Sequence, residues 1–107
     1  MNVLNIKRLL RAATTGFALF VFDFAFAQDK EMIEAGEQVY DQNCAECHGE
    51  KLRSSGAVPD LRDLPADARA RFDEAMKNGR GQMPSWEGQL TPENFDQIWA
   101  YIRSRAR

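Results

Sequence analysis

Five consecutive residues, Cys44 to His48, contain both cysteines of this chain and its only histidine. The chain has 107 residues, so it forms one domain at most. A domain of this size buries a thin apolar core and usually needs a disulfide, a metal or a cofactor to supplement it. This short motif therefore constrains what the rest of the sequence can fold around.

The first 27 residues predict a secretory signal peptide that is cleaved after Ala27. Three basic residues within positions 1–11 precede an apolar stretch from Ala12 to Phe22, and Ala25-Phe26-Ala27 has the small-x-small form of a cleavage site. The stretch of 11 residues is shorter than the roughly 20 that cross a bilayer. We expect export to a bacterial periplasm and a mature domain of residues 28–107; an uncleaved amphipathic anchor is the alternative.

The charge of the mature chain disfavours nucleic acid as a partner. Removal of residues 1–27 takes away three basic side chains and one acidic one, which leaves 11 Lys and Arg against 15 Asp and Glu, a formal charge of −4. Nucleic acid binding requires basic clusters instead.

Three helical patterns predict an all-α domain with long connecting loops. The first covers Lys30 to Asn43, and the second covers Ala66 to Asn78 with Gly79 as its stop. The last begins after Thr91, a good N-cap, and its apolar stripe consists of Phe95, Ile98, Trp99 and Ile102. Loops this long in so small a domain need something to pack against.

The motif Cys44-Ala45-Glu46-Cys47-His48 has the C-x-x-C-H pattern of haem attachment. Two thiols add across the two vinyl groups of one haem, so their sulfurs must reach points along one porphyrin edge. A histidine directly after the second cysteine is then held beneath the ring, with an imidazole nitrogen directed at the iron. The motif predicts one covalently bound haem c with His48 as an iron ligand.

Three other interpretations fit the motif less well. A structural zinc site needs four ligands, whereas the mature chain has only three Cys and His residues in total. A thioredoxin-like redox pair needs a βαβ context, which the sequence lacks. A Cys44–Cys47 disulfide would close a very small loop and leave the adjacent histidine unexplained.

Met83 is the candidate for the sixth iron ligand. Met32 and Met76 lie on apolar helix faces, where core packing is the expected role. Met83 instead lies in a non-helical stretch between Gly81 and Pro84, 35 residues after His48. His/Met ligation raises the reduction potential and closes the iron to substrates, which favours electron transfer over oxygen chemistry.

The mature chain resembles a class I cytochrome c from its first helix to its last. Gly36 and Tyr40 stand eight and four residues before Cys44, where the family has a glycine and an aromatic residue that pack against the last helix. The resemblance implies the class I cytochrome c fold, with about three main helices and long loops wrapped around one haem. It also implies that the carbonyl of Pro59 accepts a hydrogen bond from the ring of His48.

The segments Ser55-Gly56-Ala57-Val58-Pro59-Asp60-Leu61-Arg62 and Gly81-Gln82-Met83-Pro84 are similar to cytochrome domains of quinoprotein alcohol dehydrogenases and to small soluble cytochromes that accept their electrons. By this resemblance Arg62 pairs with a haem propionate; a surface arginine without a partner is the alternative. We expect the separate carrier rather than the domain of a fused enzyme.

These observations predict a monomeric periplasmic electron carrier that is not itself an enzyme. The resemblance implies a dehydrogenase dependent on pyrroloquinoline quinone (PQQ) as donor and a terminal oxidase as acceptor. Docking at such membrane complexes would be transient, beside a haem edge bordered by Gln82 and Trp86. The alternatives are a haem enzyme or gas sensor with an open sixth position, and an accessory cytochrome subunit of a membrane complex.

Overall fold

A computed structural model describes residues 25–107 of the chain, which divides into two units at residue 30. In the first unit the described residues, 25–30, are helical. Most of the predicted signal peptide lies outside the described residues, so its cleavage stays a prediction. Within residues 25–107 no helix has the length and apolar character of a membrane span.

The second unit is helical, as the sequence predicts. Helix α1 covers residues 31–43, and the short α2, Ala45–His48, follows it closely. Two 3₁₀ turns, Glu50–Leu52 and Leu61–Asp63, precede helices α3, Arg69–Asn78, and α4, Pro92–Ser104. No strand occurs among residues 25–107, which contain two isolated β-bridges only. The predicted all-α fold with three main helices is confirmed.

Helix α4 begins where its capping residues predict. The backbone N–H of Asn94 donates to the Thr91 hydroxyl over 3.1 Å, and the N–H of Thr91 donates to the Asn94 side chain over 3.0 Å. This reciprocal pair satisfies two N–H groups that have no partner within the helix. Pro92 occupies the first helical turn, where a missing N–H costs nothing.

Helix α3 begins at Arg69, so the predicted start at Ala66 is wrong by three residues. The N–H of Ala68 donates to the Pro65 carbonyl over 3.0 Å, and this bond closes a separate turn before the helix. The end of α3 agrees with the prediction, because Gly79 adopts φ +75°, a conformation that favours glycine.

Helices α1 and α4 cross at Gly36, as the resemblance implies. A Cβ atom at this position would lie 1.9 Å from the carbonyl oxygen of Gln97 and 3.0 Å from the Cβ of Tyr101. The rings of Tyr40 and Tyr101 pack beside the crossing with centroids 5.5 Å apart. The close approach accounts for a glycine inside a helix.

The core lies around this crossing and is small. Helix α4 supplies four of its buried side chains, and Met76 on α3 is buried as predicted. Trp99 is only half-buried and packs on Phe72, with ring centroids 5.3 Å apart. The buried cluster consists of Tyr40, Leu52, Phe72, Met76, Phe95, Ile98, Tyr101 and Ile102.

Candidate haem-binding site

The end of α1 and the single turn of α2 position the two cysteines and the histidine. The N–H of Cys44 donates to the Tyr40 carbonyl over 2.8 Å, and the N–H of His48 donates to the Cys44 carbonyl over 2.9 Å. Cys44 is half-buried and Cys47 is exposed, and both are free thiols. The three side chains of the motif therefore project from one helical segment without a disulfide between them.

A sharp reversal of the chain follows His48 directly. Gly49 adopts φ +93°, and a Cβ atom there would lie 1.9 Å from the carbonyl oxygen of Arg53. Lys51 and Leu52 then adopt left-handed conformations, and Leu52 is buried in the core. The hydroxyl of Tyr40 donates to the Gly49 carbonyl over 2.6 Å, which ties the end of the motif to α1.

The imidazole of His48 is held in a state suited to metal coordination. Its Nδ1 atom is buried and has no hydrogen-bond partner among the residues described. Burial lowers the pKa of His48, so the ring stays neutral near neutral pH. Neutral imidazole is the form that binds iron. The bond to the Pro59 carbonyl is not formed in this structure, where Pro59 is exposed, and the role of Pro59 stays a prediction.

The thiols do not form part of a conventional metal cluster. Burial raises the pKa of the Cys44 thiol to about 11, and the charge of Cys47 adds to that shift, so Cys44 is protonated near neutral pH. In the described part of the chain no group of three or more His, Cys, Asp and Glu residues is placed to hold a metal ion. This donor set fits thioether formation with a haem better than it fits zinc.

A loop folded onto the end of α3 holds Met83. The N–H groups of Arg80 and Met83 each donate to the carbonyl of the other over 3.0 Å. A Cβ atom at Gly79 would lie 2.6 Å from the Met83 carbonyl oxygen, and the Trp86 N–H donates to the Met76 carbonyl over 2.7 Å. Met83 is half-buried against the core cluster.

Gln82 is exposed at the tip of this loop, and Trp86 is half-buried against the core. Their predicted place beside a haem edge stays a prediction.

The loop that carries Pro59 ends in an ion-pair network that sequence reasoning missed. Both Nε and one terminal nitrogen of Arg62 donate to the Asp60 carboxylate, over 3.0 and 2.7 Å. Arg107 lies 3.3 Å from the same carboxylate and 3.0 Å from that of Asp63. Arg62 thus has a partner that neither sequence interpretation named, and its pairing with a propionate stays a prediction.

A protein-family model described as cytochrome C oxidase, cbb3-type, subunit III, matches residues 31–102. The chain belongs to this family of class I cytochromes c. The predicted haem is confirmed with it: members carry a covalently bound haem c with iron, and this protein is a c-type electron carrier. The free thiols of Cys44 and Cys47 and the neutral His48 fit that group.

Individual relatives of this cytochrome include quinohemoprotein alcohol dehydrogenases and cytochrome c550. The chain is 40% identical over 84 residues to the quinohemoprotein alcohol dehydrogenase ADH-IIG of Pseudomonas putida. The aligned segment covers 77% of this chain and 12% of that enzyme. The solved structure of ADHIIG superposes with a TM-score of 0.68 at 41% identity, over 73% of this chain and 12% of that one. Cytochrome c550 of Pseudomonas aeruginosa is 34% identical over 74% of this chain and 59% of its own length. The cytochrome thus spans only part of these relatives.

Proposed function

We propose that this cytochrome is a periplasmic carrier of single electrons in which His48 and Met83 would bind the iron. The observation that carries the proposal is the arrangement at α2, where two free thiols and a neutral, half-buried imidazole project from one helical turn. Iron in a bound haem supplies reversible one-electron chemistry between its ferric and ferrous states.

The residues of the chain have separate roles in this proposal. Cys44 and Cys47 would tether the haem through thioethers. The neutral imidazole of His48 would bind the iron, and its buried Nδ1 would donate a hydrogen bond to the Pro59 carbonyl in the holoprotein. The backbone hydrogen bonds between Arg80 and Met83 restrict the backbone of the loop, so that little backbone entropy is lost when the Met83 side chain binds.

Met83 ligation is tested by the optical spectrum of the ferric holoprotein. A thioether bound to ferric haem gives a weak far-red band, and Met83→Ala should remove it and allow the ferrous protein to bind carbon monoxide. Met32→Ala, on α1, is the matched control and should retain the band. A wild-type protein without the band that binds carbon monoxide readily would support the open sixth position of a haem enzyme or gas sensor.

Export and haem attachment are tested together by the mass of the native protein. We expect a chain that begins at Gln28 and carries the mass of one haem. A protein that retains residues 1–27 would contradict cleavage and support the membrane-anchored accessory subunit instead. A cleaved protein without the haem mass would contradict covalent attachment.

We further propose a PQQ-dependent alcohol dehydrogenase as electron donor and a terminal oxidase as acceptor. The support is the likeness to ADH-IIG and to the cbb3-type cytochrome c oxidase subunit FixP of Bradyrhizobium, to which the chain is 36% identical over 76 residues. Contacts with both partners would be small and sensitive to salt, because a carrier must dissociate quickly.

The donor is tested by mixing the oxidised cytochrome with such a dehydrogenase and an alcohol. Reduction should be much faster than in a control without the enzyme and should slow as salt increases. Reduction at the control rate would remove this class of donor.

A further inference from the structure

A cavity of about 370 Å³ lies where α1, the end of α4 and the turn after the motif meet. Its walls include Glu37 from α1, Lys51 and Arg53 from the turn, and Tyr101 and Arg105 from the last helix and its end. Neither His48 nor Met83 is among the residues that line it, whereas Arg62, for which the resemblance implies a haem propionate as partner, is. The cavity is therefore separate from the residues proposed to hold the iron, and its volume lies within the usual range for small-molecule sites, roughly 300–1,000 Å³.

The cations around this cavity are only partly neutralised. The ammonium of Lys51 pairs with the Glu37 carboxylate, and Arg62, which also lines the cavity, pairs with Asp60. The side chains of Arg53 and Arg105 form no ion pair with any residue of the described range. The cavity therefore carries about two positive charges in excess.

Arg105 is held in place by the aromatic ring beneath it. Its guanidinium lies 5.6 Å from the centroid of the Tyr101 ring, a favourable cation–π contact. The pKa of Glu37 is lowered, mainly by the hydrogen bond from Lys51. The charge of Arg105 acts in the same direction. Glu37 is the one carboxylate among the described residues that line the cavity, and it already forms an ion pair with Lys51.

The hydroxyl of Tyr101 is a hydrogen-bonding group without a partner. The side chain is fully buried, and no residue that the structure describes accepts or donates a hydrogen bond to its oxygen. Burial is the main cause that raises the pKa of Tyr101, so the hydroxyl keeps its proton and can donate. A buried hydroxyl that lacks a partner costs free energy, but this oxygen is itself fully buried, so a ligand in the cavity would not contact it.

We propose that this cavity binds a small dianionic oxyanion, a phosphate monoester or a dicarboxylate, between the guanidinium groups of Arg53 and Arg105. Planar guanidinium groups match the paired oxygens of phosphate and carboxylate, and each can donate two hydrogen bonds. The site goes beyond electron transfer and does not depend on the identity of the iron ligands.

The test is calorimetric titration of the ferric holoprotein with inorganic phosphate and, separately, with succinate, at constant ionic strength set by chloride. We expect saturable 1:1 binding that the double variant Arg53→Gln/Arg105→Gln weakens at least tenfold. Tyr101→Phe, which removes a hydroxyl that the ligand does not contact, should leave the affinity within twofold of wild type. Arg71→Gln removes an exposed arginine on α3 that does not line the cavity, and it should leave the affinity within twofold of wild type.

The relative affinities decide which ligand chemistry the site prefers. Tighter binding of phosphate assigns it to phosphate monoesters, tighter binding of succinate to dicarboxylates, and equal binding supports the shared oxyanion chemistry. Amide chemical shifts that move at Tyr101 and Arg105, but not at Met83, would locate the site. Absence of binding at 10-fold molar excess over millimolar protein, or equal weakening by Arg71→Gln and the double variant, would overturn the proposal.

Discussion

The crossing of α1 and α4 differs from the region around the C-x-x-C-H motif. The chain's own residues fill the space at the crossing, whereas at the motif a buried polar atom has no partner within residues 25–107. At the crossing, backbone packs on backbone at Gly36, and Tyr40 and Tyr101 fill the space beside it. At the motif, His48 Nδ1 is buried without a partner among the described residues, and Cys47 is exposed. The crossing is specified by residue size alone, whereas the motif region is arranged for a group that the chain does not encode.

Removal of the haem should produce the largest effect. The double variant Cys44→Ala/Cys47→Ala cannot form the thioethers, and the buried cluster of eight residues is too small to stabilise the domain alone. We expect a largely unfolded ensemble by far-ultraviolet circular dichroism at 25 °C, with the wild-type holoprotein as reference. A native-like spectrum and a cooperative thermal transition in the variant would mean that the crossing is sufficient for folding.

Gly36→Ala attacks the crossing directly and should have the next largest effect. Its new methyl group would lie 1.9 Å from a backbone oxygen of α4, which no rotamer change can relieve. Overpacking typically costs about 1–3 kcal/mol, and we expect the upper end here because both partners are backbone. The measurement is denaturant unfolding of the ferric holoprotein. Gln38→Ala, on an exposed position of the same helix, should change the free energy of unfolding by less than about 0.5 kcal/mol.

Sequence reasoning succeeded where the signal is local. Thr91 and Gly79 determine helix ends through their own side chain or backbone conformation, and both were predicted correctly. The resemblance to class I cytochromes c implied the packing of Gly36 and Tyr40 on the last helix, and the structure confirms it. In each case the residues involved lie within a few positions of one another or within a known pattern.

Features that depend on distant residues could not be predicted in this way. One local feature was also missed: α3 starts later than predicted because Pro65 and Ala68 form their own turn. The Asp60–Arg62 pair has a local signal, since the side chain of an aspartate commonly accepts a hydrogen bond from the backbone N–H two residues later. The contact between Asp60 and Arg107, in contrast, joins positions 47 apart. The charged cavity likewise assembles residues from both ends of the domain.

Tyr40→Phe tests a side-chain hydrogen bond that connects the two regions. The Tyr40 hydroxyl donates to the Gly49 carbonyl, and its loss leaves that carbonyl unpaired beside the motif. We expect a loss of about 1.5 kcal/mol in the free energy of unfolding. Tyr101→Phe is a matched control, because that hydroxyl has no partner among residues 25–107 and its removal should cost less than about 0.5 kcal/mol. Equal losses in the two variants would show that burial of the ring, rather than the bond, connects the regions.

The smallest effect should come from protonation of Asp60, next to Pro59 in the motif region. The side-chain hydrogen bonds from Arg62 hold the pKa of Asp60 well below its ordinary value of 3.8, and the charge of Arg107 acts in the same direction. A carboxyl group whose pKa is lower in the folded state stabilises the fold above the unfolded pKa, and this contribution is lost as the pH falls below about 4.

Asp60→Asn removes that contribution, so its unfolding free energy should fall less steeply than that of wild type between pH 5 and pH 2.5. Glu74→Gln, an exposed position on α3, is the control and should parallel the wild type.

Hydrogen exchange at low pH would then locate the effect. Because Asp60 and Arg62 restrain the Pro59 loop and make no contact with Gly36, amides of residues 58–64 should lose protection before those of the crossing. Simultaneous loss in both regions would mean that they unfold as one cooperative unit and that the haem couples them completely.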